Sequence, residues 1–251
     1  MNFTVKCLNS RIFTLLLRRG SQSFEIFGAV TSFAEYERIL EYASTFLTRF
    51  ELDFFEDLSS CTRQKSYLMG RFTAKVALGN LLKEPNLHKI GISPGVFGQP
   101  GVVYWCEDAP GISISHCDEF AAAIAFPNGH PCGIDIETIS FTQVDAIRSQ
   151  LSHSELKWAA EADGSFAQNC TLVWTAKEAL SKVLKCGLMS PMEILEISQV
   201  LPLGEGLWEA HYCNFPQYKS LCWTNGLAAM SLAMPRKSVA ASIPTIGSML
   251  Y

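Results

Sequence analysis

The chain has 251 residues, 48% hydrophobic and 18% charged, enough apolar material for one large core or two smaller ones. Lysine and arginine number 20 against 24 acidic residues, a net charge of −4, so there is no overall basic footprint for a nucleic-acid polymer. No apolar run approaches the ~18 residues of a membrane span, and the nine cysteines contain no Cys-x-x-Cys pair, so they read as reduced thiols of a cytoplasmic protein rather than zinc ligands.

Arg11, Arg18 and Arg19 precede the first acidic residue, Glu25, which leaves a cleaved transit segment open. A β-strand over Phe13 to Leu17 is the plainer reading. Phe33 to Phe46 reads as helical. Arg63, Lys65, Arg71 and Lys75 form a local basic cluster suited to a small anionic ligand. Gly111 to His116, Phe120 to Phe126 and Cys132 to Glu137 read as an antiparallel meander, linked by turns at 117–119 and 127–131. Ser154 to Ala162 is helical, and so is the stretch through Trp174 to Lys185, with Gly187 as its C-terminal cap. Strands follow at Ile194 to Gln199, Trp208 to Tyr212, Lys219 to Thr224 and Leu227 to Ala233; Asn225-Gly226 marks a hairpin. From Pro235 the chain is small and polar and reads as disordered.

An internal repeat organises these elements. Thr73 to Lys83 and Thr175 to Lys185 are identical at seven of eleven positions, 102 residues apart. Two similar half-domains follow, 1–108 and 109–235, with 236–251 as a tail. Helices segregated against antiparallel strands make the fold α+β. The copies differ where chemistry needs them to: Val76 aligns with Glu178, and Asn80 with Lys182. The acidic and basic groups belong to the second half, and a site would form where the halves meet.

Alternation along Gly133-Ile134-Asp135-Ile136-Glu137 puts both carboxylates on one face of a strand. Glu178 and Lys182 share a helix face. Each pair alone is most simply a solvent-facing pair, and His116 at a strand end is most simply structural. The order of the three segments carries more weight. Three crowded carboxylates and an amine suit a hard cation such as Mg²⁺ shared with a substrate phosphate.

The chain resembles the 4′-phosphopantetheinyl transferases of the surfactin-synthetase-activating type, nearest the enterobactin synthase component D branch. The resemblance rests on Arg63 through Arg71, Phe97-Gly98-Gln99-Pro100, Ser113 through Cys117, Pro131 through Glu137, and Trp174 through Lys182. It implies two α+β halves related by a pseudo-twofold axis, with the site between them. It implies transfer of phosphopantetheine from coenzyme A to a serine of an apo acyl, aryl or peptidyl carrier protein, releasing adenosine 3′,5′-bisphosphate. It further implies Mg²⁺ held by Asp135, Glu137 and Glu178, with Glu178 as the base and Lys182 on the phosphates. Ser115 and His116 match the stretch that contacts the nucleotide phosphates, and Arg63, Arg71 and Lys75 are candidates for the 3′-phosphate. A monomer acting in siderophore or other secondary metabolism, with no nucleic-acid or membrane partner, completes the expectation. Gln99 stands where many relatives carry lysine, and Cys117 where a hydroxyl residue is common. A non-catalytic coenzyme A- or carrier-binding protein and a metal-dependent phosphodiesterase remain the alternatives.

Overall fold

The computed structural model describes residues 9–142, 144–187, 191–204 and 206–250. Alternation over Ser10–Arg19 (β1) and Gln22–Ser32 (β2) forms a hairpin closed at Gly20, whose φ of 63° favours glycine. The strand expected at 13–17 lies inside β1. The helical stretch from Phe33 is broken: a 3₁₀ turn leads into Tyr36–Glu41 (α1) and Ala43–Phe46 (α2). A further helix, Arg49–Asp57 (α3), follows, and then the long Cys61–Leu82 (α4). Gly91–Pro94 (β3) and Pro100–Val103 (β4) make a small separate hairpin.

Gly111–His116 (β5) and Phe120–Phe126 (β6) pair with each other and, through β6, with β2. Gly133–Thr138 (β7) does not continue this meander, contrary to the sequence expectation. It switches to a second sheet and pairs with Ala228–Pro235 (β11). The helices Val144–Arg148 (α5), His153–Glu161 (α6) and Phe166–Leu184 (α7) come next. Ile197–Gly204 (β8), Leu207–Tyr212 (β9) and Tyr218–Thr224 (β10) complete that sheet in the order β7-β11-β10-β9-β8. The Asn225-Gly226 turn is present; Asn225 Oδ1 accepts from Leu227 and Ala228 N–H, and Gly226 has a φ of 85°.

Period-2 side-chain alternation gives each sheet two apolar faces. Leu15, Leu17, Ile26 and Ile124 of the first sheet pack against Ile134, Ile136, Trp223 and Leu232 of the second, making a central core between the sheets. Ala29, Ala121, Ala123 and Ala125 face α4 on the outside of the first sheet. Ala229, Ala233 and Ala210 face α7 on the outside of the second. The protein is therefore α+β, with antiparallel sheets inside and helices on both outer faces.

The repeat is visible in detail. Thr48 and Glu51 form a capping box at the start of α3; Ser152 and Glu155 form one at the start of α6. Glu51 pairs with Lys75 at 2.5 Å, and Glu155 with Lys177 at 2.9 Å, with both lysines fully buried. The second oxygen of each glutamate accepts a strand N–H, from Ile92 and Ile197. α3 is thus the counterpart of α6. By sheet membership, β5 and β6 go with the first repeat, beyond the boundary drawn at residue 108. The tail is not disordered over its described residues. Val239–Ala240 (β12) covers the edge of β1, and Ile246–Leu250 (α8) buries Met249 and Leu250 in the core between the sheets.

Candidate active site at the junction of the two sheets

The sheet switch at β7 positions the site. β5 ends the first sheet and β7 ends the second, so their edges meet with unsatisfied backbone groups. Two serines bridge them: Ser113 Oγ accepts Ile134 N–H at 3.0 Å, and Ser115 Oγ accepts Ile136 N–H at 3.4 Å. The alternation expected for β7 is present. Ile134 and Ile136 enter the core between the sheets, and Asp135 faces the α7 side.

α7 lies unusually close to β7. A Cβ on Gly133 would fall 2.2 Å from the Ala179 carbonyl oxygen, so only glycine permits this approach. As a result Lys182 reaches across, donating to Asp135 Oδ1 at 2.7 Å and to Ile134 O at 3.0 Å. Ser115 Oγ donates to the same Asp135 oxygen at 2.6 Å. Its hydroxyl proton is thereby directed at Asp135.

Asp135 Oδ2 and Glu178 Oε1 are buried and have no hydrogen-bond partner. Burial pushes the Glu178 carboxyl up to about 7, with Asp135 adding repulsion and Lys182 opposing. Glu137 is also raised to about 7, first by burial, then by Asp135, with Glu178 adding to it. These three carboxylates are electrostatic neighbours. Among the described residues, however, no three acidic, histidine or cysteine side chains converge closely enough to form a finished ligand set. The donor chemistry fits a hard cation: two orphaned oxygens and mutual repulsion are what a cation relieves.

A cleft of about 370 Å³ opens beside Glu137, lined also by His116, Lys65, Ser66, Thr62 and Asp118. Partial desolvation lowers the His116 pKa, with Lys182 contributing and Asp135 opposing. Cys117 is buried and its thiol is pushed up by burial, consistent with packing. A second cleft, about 360 Å³, lies between the segment 97–102, β5 and the end of α7, and Lys182 reaches it.

The basic cluster read from the sequence is dispersed. Lys75 donates to Glu51, Phe46 O and Leu87 O, and lies in the core; burial lowers its pKa to about 8 despite Glu51. It is a structural lysine and not a phosphate ligand. Arg71 stacks its guanidinium 4.7 Å from the Tyr67 ring centroid and 3.8 Å from Glu51, outside both clefts. Arg63 is exposed on the first turn of α4 and lines neither cleft. Lys65, the neighbour that the sequence reading left unassigned, is the one basic residue of α4 that lines the His116 cleft. Its signal was helical phase: Lys65 lies six residues before Arg71 and ten before Lys75, on a different side of α4.

Residues 131–226, a little over a third of the chain, match a model of the 4′-phosphopantetheinyl transferase superfamily. The match spans β7, α5 to α7 and β8 to β10, and it supports an enzyme, a phosphopantetheinyl transferase. Partial structural likeness is found to three holo-acyl-carrier-protein synthases. That from Bacillus anthracis, in complex with coenzyme A (3′,5′-ADP), is 24% identical with a TM-score of 0.38, covering 45% of this chain and 96% of its own. That from Plasmodium yoelii is 19% identical with a TM-score of 0.35, covering 47% and 96%. That from Thermotoga maritima is 21% identical with a TM-score of 0.31, covering 49% and 68%. No curated protein matches the sequence. No described helix is long and apolar enough to cross a membrane.

Proposed function

We propose that the protein transfers 4′-phosphopantetheine from coenzyme A to a serine of an apo carrier protein. The observation that carries this reading is the coincidence of the family match with the Asp135–Lys182 junction and its orphaned carboxylate oxygens. In this reading the serine oxygen attacks the β-phosphorus of coenzyme A. The P–O bond to the nucleotide breaks, and adenosine 3′,5′-bisphosphate leaves. Glu178, raised to about 7, takes the serine proton, since a base is most effective with a pKa near the working pH. Lys182 holds a phosphate oxygen while its contact with Asp135 fixes its position. His116 and Lys65 take the more distant phosphate in their cleft.

Asp135, Glu137 and Glu178 would hold Mg²⁺. Bound there, the ion supplies charge neutralisation for the pyrophosphate. The proposed carrier is an apo acyl, aryl or peptidyl carrier protein or domain, with siderophore or other secondary metabolism as the proposed pathway, and the proposed working form is a cytoplasmic monomer, because two fused halves already supply both sides of the site.

The test is mass spectrometry of apo acyl, aryl and peptidyl carriers, each incubated with the protein, coenzyme A and Mg²⁺. A gain of one phosphopantetheine on a carrier serine is expected. Coenzyme A binding without transfer would favour a binding protein, and cleavage of coenzyme A without a carrier would favour a phosphodiesterase.

A further inference from the structure

The cleft beside the end of α7 contains two lysines, Lys182 and Lys185, and no aspartate or glutamate among its lining residues. In a chain of net charge −4, that is a locally cationic wall. Two of the three Lys182 N–H donors go to Asp135 and Ile134 O, leaving one for a phosphate oxygen. Gln99, which also lines the cleft, brings no charge, and its Oε1 is occupied in accepting Phe97 N–H at 2.9 Å. That bond steadies the tight turn in which Gly95 N–H donates to Gln99 O and Gly98 carries a φ of 79°. Lys185 has no carboxylate partner among the described residues and is exposed at the cleft.

The backbone fixes where Lys185 stands. It occupies the left-handed position that ends α7, with a φ of 58°, and its N–H and that of Cys186 close on Lys182 O and Ser181 O. Glycine is the usual residue there, and a lysine carries a backbone penalty. The first repeat supplies its own comparison. Lys83 ends α4 in the same conformation, with a φ of 54°, and with equivalent bonds to Asn80 O and Gly79 O. Lys83 lines neither of the two clefts of the site. The two lysines are therefore alike in backbone and in position on their helices, and differ in what their side chains can reach.

We propose that Lys185 is a substrate-binding residue, its ammonium contacting a phosphate oxygen of coenzyme A in the cleft it shares with Lys182. It supplies the uncompensated positive charge that Gln99 does not bring. This assignment rests on the transferase reading. The competing account is that Lys185 merely offsets the partial negative charge at the helix C-terminus, as Lys83 does at its own helix end.

The experiment compares Lys185→Gly, Lys185→Arg and Lys83→Gly with the unmodified protein. Coenzyme A affinity is measured by calorimetry at two salt concentrations, and Tm by thermal unfolding. Glycine suits the left-handed position, so neither glycine variant should lose folding stability beyond the small helix-end effect. Lys185→Gly should weaken coenzyme A about tenfold, the worth of one charge-assisted hydrogen bond, and flatten the salt dependence. Lys185→Arg should restore most of the affinity, and Lys83→Gly should bind as the unmodified protein does. Unchanged affinity in Lys185→Gly, or equal loss in Lys83→Gly, overturns the assignment while leaving the transferase reading in place. Failure of the unmodified protein to bind coenzyme A overturns both.

Discussion

Lys182 of α7 lies 2.7 Å from Asp135 Oδ1 of β7, leaving the other oxygen of that carboxylate buried and without a partner. The pair joins the two segments that are chemically distinctive in the sequence. It also leaves Asp135 half-satisfied in a place where an unsatisfied charge-bearing oxygen is costly. Asp135→Ala and Glu137→Ala should each lower transfer by about 10²-fold or more, as expected for loss of a group that neutralises a pyrophosphate. Circular dichroism should show both variants folded. Near-normal turnover by mass spectrometry of the carrier would place the site elsewhere.

The approach of α7 to β7 makes Gly133 a sharp test of that geometry. Gly133→Ala sets a methyl group against the Ala179 carbonyl, which is backbone and cannot swing aside. The helix must shift, at about 1–3 kcal/mol. Because the shift separates Lys182 from Asp135, transfer should fall by more than the folded fraction does. Urea unfolding and kcat/KM on the same preparation compare the two losses. Equal losses would mean that the approach matters to stability alone.

The raised carboxyl groups predict a pH dependence of stability. Glu137 and Glu178 titrate near 7 in the fold against 4.5 in the unfolded chain. Between those values the folded protein binds more protons, so this contribution is fully present below about pH 4.5 and is lost as the pH rises through 7. Glu178→Gln should therefore be more stable than the unmodified protein at pH 8, by about 1–2 kcal/mol after discounting for partial exposure, and nearly equal at pH 5. Mg²⁺ at pH 8 should raise the Tm of the unmodified protein more than that of the variant. The same Tm difference at both pH values would remove the carboxylate repulsion from the account.

Lys75 and its repeat counterpart Lys177 are both buried partners of a glutamate. Lys75→Met removes the nearer cation from buried Glu51, leaving Arg71 at 3.8 Å, and should cost about 3 kcal/mol in urea unfolding. Coenzyme A KM should stay unchanged in whatever fraction folds. A raised KM at normal stability would return Lys75 to the phosphate site.

Much of the site was legible because alternation and helical spacing are local properties. Ile134 and Ile136 against Asp135 and Glu137, and Glu178 with Lys182, needed only the periods of a strand and a helix. What local pattern could not reveal is which sheet a strand joins. β5, β6 and β7 look like one meander, yet β7 crosses to the second sheet, and that crossing creates the junction. Lys75 carries the charge of a phosphate ligand, yet its Nζ is buried against Glu51, Phe46 O and Leu87 O, and local pattern does not show that burial. A signal did exist: Thr48-x-x-Glu51 and Ser152-x-x-Glu155 repeat as the helices do, marking a buried partner for each lysine. The tail was read from its small polar residues, and its contacts at Met249, Leu250 and the Trp223 bond to Pro244 O depend on a surface formed by the rest of the chain.

The last prediction separates Lys65 and His116 from Arg71. The first two share a cleft beside Glu137, whereas Arg71 packs on Tyr67 and Glu51. In the transferase reading that cleft takes the phosphate farthest from the reacting bond, so its loss should act on binding more than on chemistry. Lys65→Ala and His116→Ala should each raise the KM for coenzyme A about tenfold while lowering kcat little, the effect of losing one charged or polar contact. With dephospho-coenzyme A, which lacks the 3′-phosphate, both variants should behave almost as the unmodified protein. Arg71→Ala should lower Tm through lost packing and leave the ratio between the two substrates unchanged. Steady-state kinetics on both substrates, with Tm for each variant, checks the set. If Arg71→Ala changes the substrate ratio and Lys65→Ala does not, the 3′-phosphate lies on the Tyr67 side of α4 and the cleft beside His116 serves another purpose.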